Sequence, residues 1–130
     1  MARFSANLGF LWTDLLLVEA IHAAKAAGFH AVECHWPYDV PAGSLARALN
    51  EASLPMLSLN TAPGDLSKSE FGLAALPKRR EEARAAIDQA IAYGAEIRTQ
   101  AVHVMAGVTN AETAHDVYLD NLRYACRMAE

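Results

Sequence analysis

The sequence predicts an α/β fold made of four parallel β/α modules in a row. Short apolar runs of strand length alternate four times with longer runs of helical period, and strands separated by helix-length connections pair in parallel. No Gly-x-Gly-x-x-Gly follows any of the short runs, so the dinucleotide-binding version of such a sheet has no fingerprint here. Four modules in 130 residues equal half of the ~250 residues typical of an eight-module barrel. A barrel or another doubly wound sheet remains, and the length favours the first: the expected fold is the N-terminal half of a TIM barrel. It forms one domain over residues 1–130, a truncated (β/α)8 barrel in which a fifth strand would be due after Glu130.

Each module can be read in turn. Residues 4–10 form the first strand, and residues 14–27 a helix with Leu15, Val18, Ile21 and Ala24 on one stripe, closed by Gly28. Residues 29–34 are the second strand, Pro37-Tyr38-Asp39 a turn, and residues 44–52 a helix with Ser44 or Gly43 near its N-cap. The third strand spans 56–60. A long loop over 61–76 follows, then a helix over 77–93 with Pro77 in its first turn. The fourth module has a strand at 101–105, a loop at 106–110 and a helix at 111–128.

Composition narrows the function. With 53% hydrophobic and 20% charged residues, and a mean hydropathy of +0.08, the chain can bury one sizeable core. The net charge is -4 and the 11 Lys and Arg are scattered, which gives no basic footprint for nucleic acid. Cys34 and Cys126 lie far apart, one in a strand-like and one in a helix-like run, and do not form a disulfide framework. The first residues hold no apolar signal core, and no run approaches ~18 apolar residues. A cytoplasmic protein with no membrane partner is expected.

Side chains alternate faces along a strand, so polar residues at period two near its C-terminal end mark one face. Ser5 and Asn7, Glu33 and His35, Ser58 and Asn60, and His103 interrupt otherwise apolar runs in this way. Parallel strands buried on both faces are nearly all apolar, and an unpartnered buried polar group costs ~1–3 kcal/mol. In a barrel the C-terminal strand ends line the active site, so the pattern points to a hydroxylated substrate there. Asn7 and Asn60 serve equally well as loop-capping groups when taken singly; the joint pattern carries the argument. Glu33 between Val32 and Cys34 is the sharpest case, since a carboxylate there is expected to be buried.

Three other features bear on chemistry. Cys34 and His35 are adjacent and point to opposite faces, so metal ligation by this chain is not expected. No Gly-x-Ser-x-Gly elbow places a nucleophile. The 61–76 loop is long for a βα connection and reads as a lid. After it Lys78, Arg79 and Arg80 crowd a helix start, where cations oppose the dipole. Either Glu81 and Glu82 offset them, or an arginine reaches a substrate carboxylate.

The chain contains Arg3-Phe4-Ser5-Ala6-Asn7-Leu8, Val32-Glu33 with Pro37-Tyr38-Asp39, Asn60 with Pro63-Gly64-Asp65, Gly72 to Pro77, His103-Val104-Met105-Ala106-Gly107 and Asn121-Leu122-Arg123-Tyr124-Ala125. Together these segments resemble the hydroxypyruvate isomerase family. The likeness runs the whole chain in order. It implies a xylose-isomerase-like TIM barrel that isomerises a small hydroxy-keto acid, such as hydroxypyruvate to tartronate semialdehyde, with a divalent metal, Mg or Mn. By the same resemblance, the metal and acid/base carboxylates come from later strands, beyond residue 130. No catalytic residue and no metal ligand is then expected in this half, and the fragment alone is expected to be inactive. Asn7, Glu33, Tyr38, Asn60, Asp65 and His103 carry over as substrate-binding wall. The family's Gly-Glu-Arg-Gly stands here as Ser69-Glu70-Phe71-Gly72, which leaves Arg79 as the local candidate for a substrate carboxylate. Alternatives are a 2-oxo-tetronate isomerase or ketose epimerase of the same superfamily and, from another class, a non-catalytic half-barrel binding or assembly module. A homo-oligomer is expected.

Overall fold

A computed structural model describes residues 1–130. The elements are β1 (Ser5–Asn7), α1 (Leu17–Ala26), β2 (Ala31–Glu33), α2 (Ala42–Ala52), β3 (Ser58–Asn60), α3 (Arg80–Ile97), β4 (Ala101–His103) and α4 (Ala114–Ala129), with a 3-10 turn at Leu66–Lys68. The four β/α modules stand in the predicted order, with strands trimmed to three residues each. β1 and β2 pair in parallel with Ser5 opposite Ala31, Ala6 opposite Val32 and Asn7 opposite Glu33. A parallel bridge from Val32 to Met56 and a Cys34 N–H donated to the Ser58 carbonyl (3.1 Å) link β2 to the entry of β3. β3 pairs with β4. No helix is long and apolar enough to cross a membrane.

The chain divides into two compact units, residues 1–59 with 93–102, and residues 60–92 with 103–130. In the first, α1 packs on α2, and Ile21, Val32, Leu45, Met56 and Leu59 are fully buried. Ala6, Val32 and Leu59, the middle residues of their strands, enter this core, and alternation turns their neighbours to the other face. α1 begins without a capping hydroxyl; the Glu19 carboxylate reaches back to accept the Leu16 N–H (3.2 Å), half of a capping box. It ends at Gly28, whose φ of +90° only glycine takes freely.

Two predicted boundaries shift for identifiable reasons. α2 starts at Ala42, ahead of the expected Ser44 or Gly43, because the Pro41 carbonyl already accepts the Ser44 and Leu45 N–H groups. α3 runs on through Gly94 to Ile97 and turns in a left-handed Arg98. Gly94 lies inside the helix, past the expected end at residue 93. It is small because a Cβ there would lie 2.6 Å from the Thr99 methyl.

The second unit has its own core of Ala74, Ile87, Val104 and Ala125, flanked by Ile91, Tyr118, Leu122 and Tyr124. The 61–76 loop, expected as a lid, is tied down along its length. Gly72 N–H donates to Pro63 O (2.8 Å), Leu73 and Ala74 to Met105 O (3.2 Å each), and Ala75 to Ala106 O (2.8 Å). Buried Asn121 adds an amide donated to Ala74 O (2.8 Å). Satisfied backbone groups on both sides explain why a long connection is ordered here.

Candidate functional site

Asn7, Glu33, Asn60 and His103 are each the last residue of their strand, β1, β2, β3 and β4 respectively. In the first unit, Asn7 and Glu33 stand opposite each other in the ladder. Asn7 Oδ1 accepts the Gly9 N–H (2.9 Å), so the turn role left open by the sequence is filled and Nδ2 retains donor capacity. Glu33 is only partly buried, short of the burial expected for it, and enters none of the ion pairs. Two residues before Asn7, Ser5 Oγ is buried without a hydrogen-bond partner. Tyr38 meets Tyr93 edge-on with ring centroids 5.5 Å apart. Burial, then the nearby Cys34 and Tyr93, pushes its phenol well above the ordinary range, so it stays a neutral donor. Tyr93 donates to Val40 O (2.7 Å), and burial first of all raises its phenol to about 12.

In the second unit, Asn60 Oδ1 lies 3.2 Å from His103 Nδ1. An amide oxygen can only accept, so the contact needs a proton on Nδ1, and in the neutral imidazole Nε2 is then the acceptor. The neighbouring backbone is fixed: Thr61 N–H donates to His103 O (2.9 Å), and buried Thr61 Oγ1 accepts the Met105 N–H (3.0 Å).

Asp65 and Arg79 are committed to the loop itself. Asp65 caps the 3-10 turn by accepting the Ser67 N–H (3.0 Å) and hydroxyl (2.6 Å), and the Ser67 hydroxyl is the main reason its carboxyl lies below the ordinary range. Arg79 donates to Glu70 (2.8 and 3.3 Å) and to Glu82 (2.7 and 2.8 Å). Glu70 in turn accepts the Asp65 N–H (2.6 Å). The Arg79 hydrogen bonds, and then the Asp65 amide, depress the Glu70 carboxyl to about 2. The guanidinium expected to meet a substrate carboxylate thus meets two of the protein's own. Of Glu81 and Glu82, the carboxylates expected to offset the Lys78-Arg79-Arg80 cluster, only Glu82 forms an ion pair; Glu70 also pairs with Arg79, and Asp120 with Arg80 (3.2 Å).

Sequence reasoning gave no structural role to Glu70, Thr61 and Asn121. The signal for Glu70 was present in Arg79, a cation at a helix start in need of a carboxylate. Thr61 and Asn121 act through contacts with groups far away in sequence, which no local pattern announces. The chain has no group of three or more His, Cys, Asp or Glu that could hold a metal ion. Both cysteines are free, Cys34 buried and Cys126 exposed.

Residues 21–130 match the xylose isomerase-like TIM barrel family. The chain belongs to that family. It is 43% identical over 96% of its length to a 2-oxo-tetronate isomerase of Pectobacterium atrosepticum, of which it covers 49%. It is 39% identical over 95% of its length to a Homo sapiens protein named as a hydroxypyruvate isomerase, covering 48% of it. The crystal structure of an AP endonuclease, family 2, from Brucella melitensis superposes with a TM-score of 0.92 at 33% identity, over 98% of this chain and 50% of that one. The chain spans about half the length of the curated relatives it matches. The xylose isomerase-like assignment agrees with the four β/α modules and with the resemblance read from the sequence.

Proposed function

We propose that this chain supplies the substrate-binding wall of an isomerase acting on a small hydroxy-keto acid, of the hydroxypyruvate or 2-oxo-tetronate isomerase kind. The observation that carries it is that Asn7 and Glu33 in the first unit, and Asn60 and His103 in the second, are each the final residue of a strand, the position at which barrels of this family hold substrate. The names of the relatives add the reaction class. Ketose epimerisation stays within the same proposal, since it uses the same kind of wall.

Isomerisation moves a proton between neighbouring carbons through an enediolate, which requires a base and a stabilised oxyanion. In this reading the chain binds and orients. His103 Nε2 accepts a substrate hydroxyl, held in that tautomer by Asn60. Asn7 Nδ2 and the neutral Tyr38 hydroxyl donate to substrate oxygens, and Glu33 accepts from a hydroxyl. Arg79 and Asp65 act by ordering the loop. A divalent metal, Mg or Mn, and the proton-transferring carboxylates belong to the proposal as groups supplied outside these residues.

The test is a chimera joining this chain to the C-terminal half of the Pectobacterium enzyme, assayed with hydroxypyruvate and 2-oxo-tetronate. Turnover is expected, with no activity from the chain alone, and His103→Ala and Asn60→Leu should each lower kcat/KM by about 10–100-fold, the scale of one charged or shared hydrogen bond. A folded chimera that converts neither acid rejects the reading. Self-association belongs to the same proposal. β1 pairs only with β2 and β4 only with β3, and unpaired strand edges recruit other chains. A monomeric mass in solution would refute that part.

A further inference from the structure

Thr61 is the first residue after β3 and is 3% exposed. Its N–H donates to the His103 carbonyl (2.9 Å), and its Oγ1 accepts the Met105 N–H (3.0 Å). This residue thus grips the end of β4 on both sides of Val104. Building on the reading of His103 as a substrate-binding group, we infer that Thr61 is its positioning residue. The Thr61 hydroxyl, by holding the Met105 amide, sets the direction and the tautomer in which the His103 imidazole meets a substrate hydroxyl.

The need for such a residue follows from exposure. His103 is exposed, and its Nδ1 contact with Asn60 Oδ1 (3.2 Å) competes with water. A neutral hydrogen bond open to solvent contributes little by itself, so the pairing persists only where the two backbones are held in register. Asn60 and Thr61 are consecutive, so the segment that carries the amide is the one that holds His103 O and the Met105 N–H. Slack between Thr61 and Met105 is therefore slack between Asn60 Oδ1 and the ring.

The rest of the strand end is closed around this grip. Val104 is buried in the core with Ile87 and Ala125, and alternation sends His103 to the other face. The Tyr118 hydroxyl donates to Val104 O (2.9 Å), and the Leu73 and Ala74 N–H groups donate to Met105 O (3.2 Å each). Those bonds satisfy carbonyls, whereas the Met105 N–H is met by a side chain. Threonine suits that task, because branching at Cβ restricts χ1 and keeps the oxygen aimed at the amide. Valine has nearly the same shape and no acceptor; serine has the acceptor without the branch.

The readout is the His103 tautomer, followed in a two-bond proton–nitrogen-15 correlation spectrum of the imidazoles at about pH 8.5, well above the ordinary histidine pKa of ~6.5. Exposed His115 is the internal reference. In the parent chain the Nδ1–H form should predominate at His103 and not at His115. Thr61→Val should lower the ratio of Nδ1–H to Nε2–H at His103 by about 3–10-fold, the scale of one neutral hydrogen bond, and Thr61→Ser should keep it. In the chimera, Thr61→Val should lower kcat/KM by a similar factor, and by little once Asn60→Leu is present, since both act through the same ring. An unchanged ratio in Thr61→Val, or an equal loss in Thr61→Ser, overturns the proposal. If Thr61→Val does not fold, amide exchange in the parent chain decides: the Met105 N–H should exchange at least about tenfold more slowly than that of exposed Val108, and equal rates would mean that the hydroxyl holds nothing. The tautomer is read without substrate. A chimera that converts neither acid, with the tautomer shifted as expected, therefore rejects the functional reading and leaves the hold of Thr61 on His103 standing.

Discussion

The loop after β1 and the loop after β3 solve the same problem by different physics. Both must carry the chain from the end of a strand to the start of a helix. The first does so with apolar side chains left largely in solvent: Phe10 is 74% exposed and Leu16 69%. It is held by backbone turns onto Asn7 O (3.1 Å each from Phe10 and Leu11) and by ring contacts. The second loop is longer, and almost every stretch of it is bonded, through Asp65, Glu70 and Arg79 at one end and the Met105 and Ala106 carbonyls at the other. Length alone therefore does not make a loop loose. What decides is whether its N–H groups and charges find partners within the fold.

Core truncation tests whether the contrast is confined to the loops. Leu45→Ala in the first unit and Ile87→Ala in the second remove fully buried side chains, and each should cost about 2–5 kcal/mol in urea unfolding. Markedly unequal losses would move the difference from the loops to the cores. Next in size is Asn121→Ala. It deletes the buried amide that holds Ala74 O and should cost about 1–3 kcal/mol, with faster amide exchange at residues 73–75. Tyr93→Phe, its nearest counterpart in the first unit, removes only the bond to Val40 O and should cost about 0.5–1.5 kcal/mol.

The charge clasp makes a pH prediction. Glu70 is depressed to about 2 by Arg79, so its contribution is present above the ordinary glutamate pKa of ~4.3 and is lost as pH falls through about 2. Carbonyl NMR titration should find that midpoint, and Arg79→Met should move it up toward the ordinary value. An unshifted Glu70 would mean that the loop is ordered by its backbone bonds alone. The smallest effect is expected from Phe10→Ser, within about 0.5 kcal/mol, because an exposed side chain forfeits little. A larger loss would show that the first loop is packed after all.

The parts of this fold that depend on periodicity were legible in the sequence. The Leu15, Val18, Ile21, Ala24 stripe and Gly28 located α1 apart from its first turn, and Asn7, Glu33, Asn60 and His103, picked out as polar breaks in apolar runs, each close a strand, although the expected strands ran on to 10, 34 and 105 past three of them. What stayed hidden depends on distant contact. The helix expected to end at residue 93 runs on through Gly94 to Ile97, although a helix interior disfavours glycine, and the Thr99 methyl leaves no room for a larger residue there. Trp12, Ser53, Ser69 and Arg98 take left-handed backbone without the usual glycine. The loop after β3 looked like a lid because its bonds go to residues some thirty positions later, beyond the reach of any local pattern. Arg79 looked available because Glu70 lies nine residues away, outside helical spacing.

Gly72 and Gly107 meet where the loop after β3 crosses the loop after β4, at φ of +125° and +88°. A Cβ on Gly72 would stand 2.6 Å from the Met105 carbonyl oxygen and the Gly107 nitrogen, and one on Gly107 would run into the Gly72 carbonyl. In each case the obstruction is backbone, which no side-chain repacking can move. The two positions therefore form one locus for sequence drift. Replacing either glycine cannot be rescued by changing the other, because neither has a side chain left to remove. Any viable descendant of this sequence must keep both glycines or first rebuild the path of a whole loop.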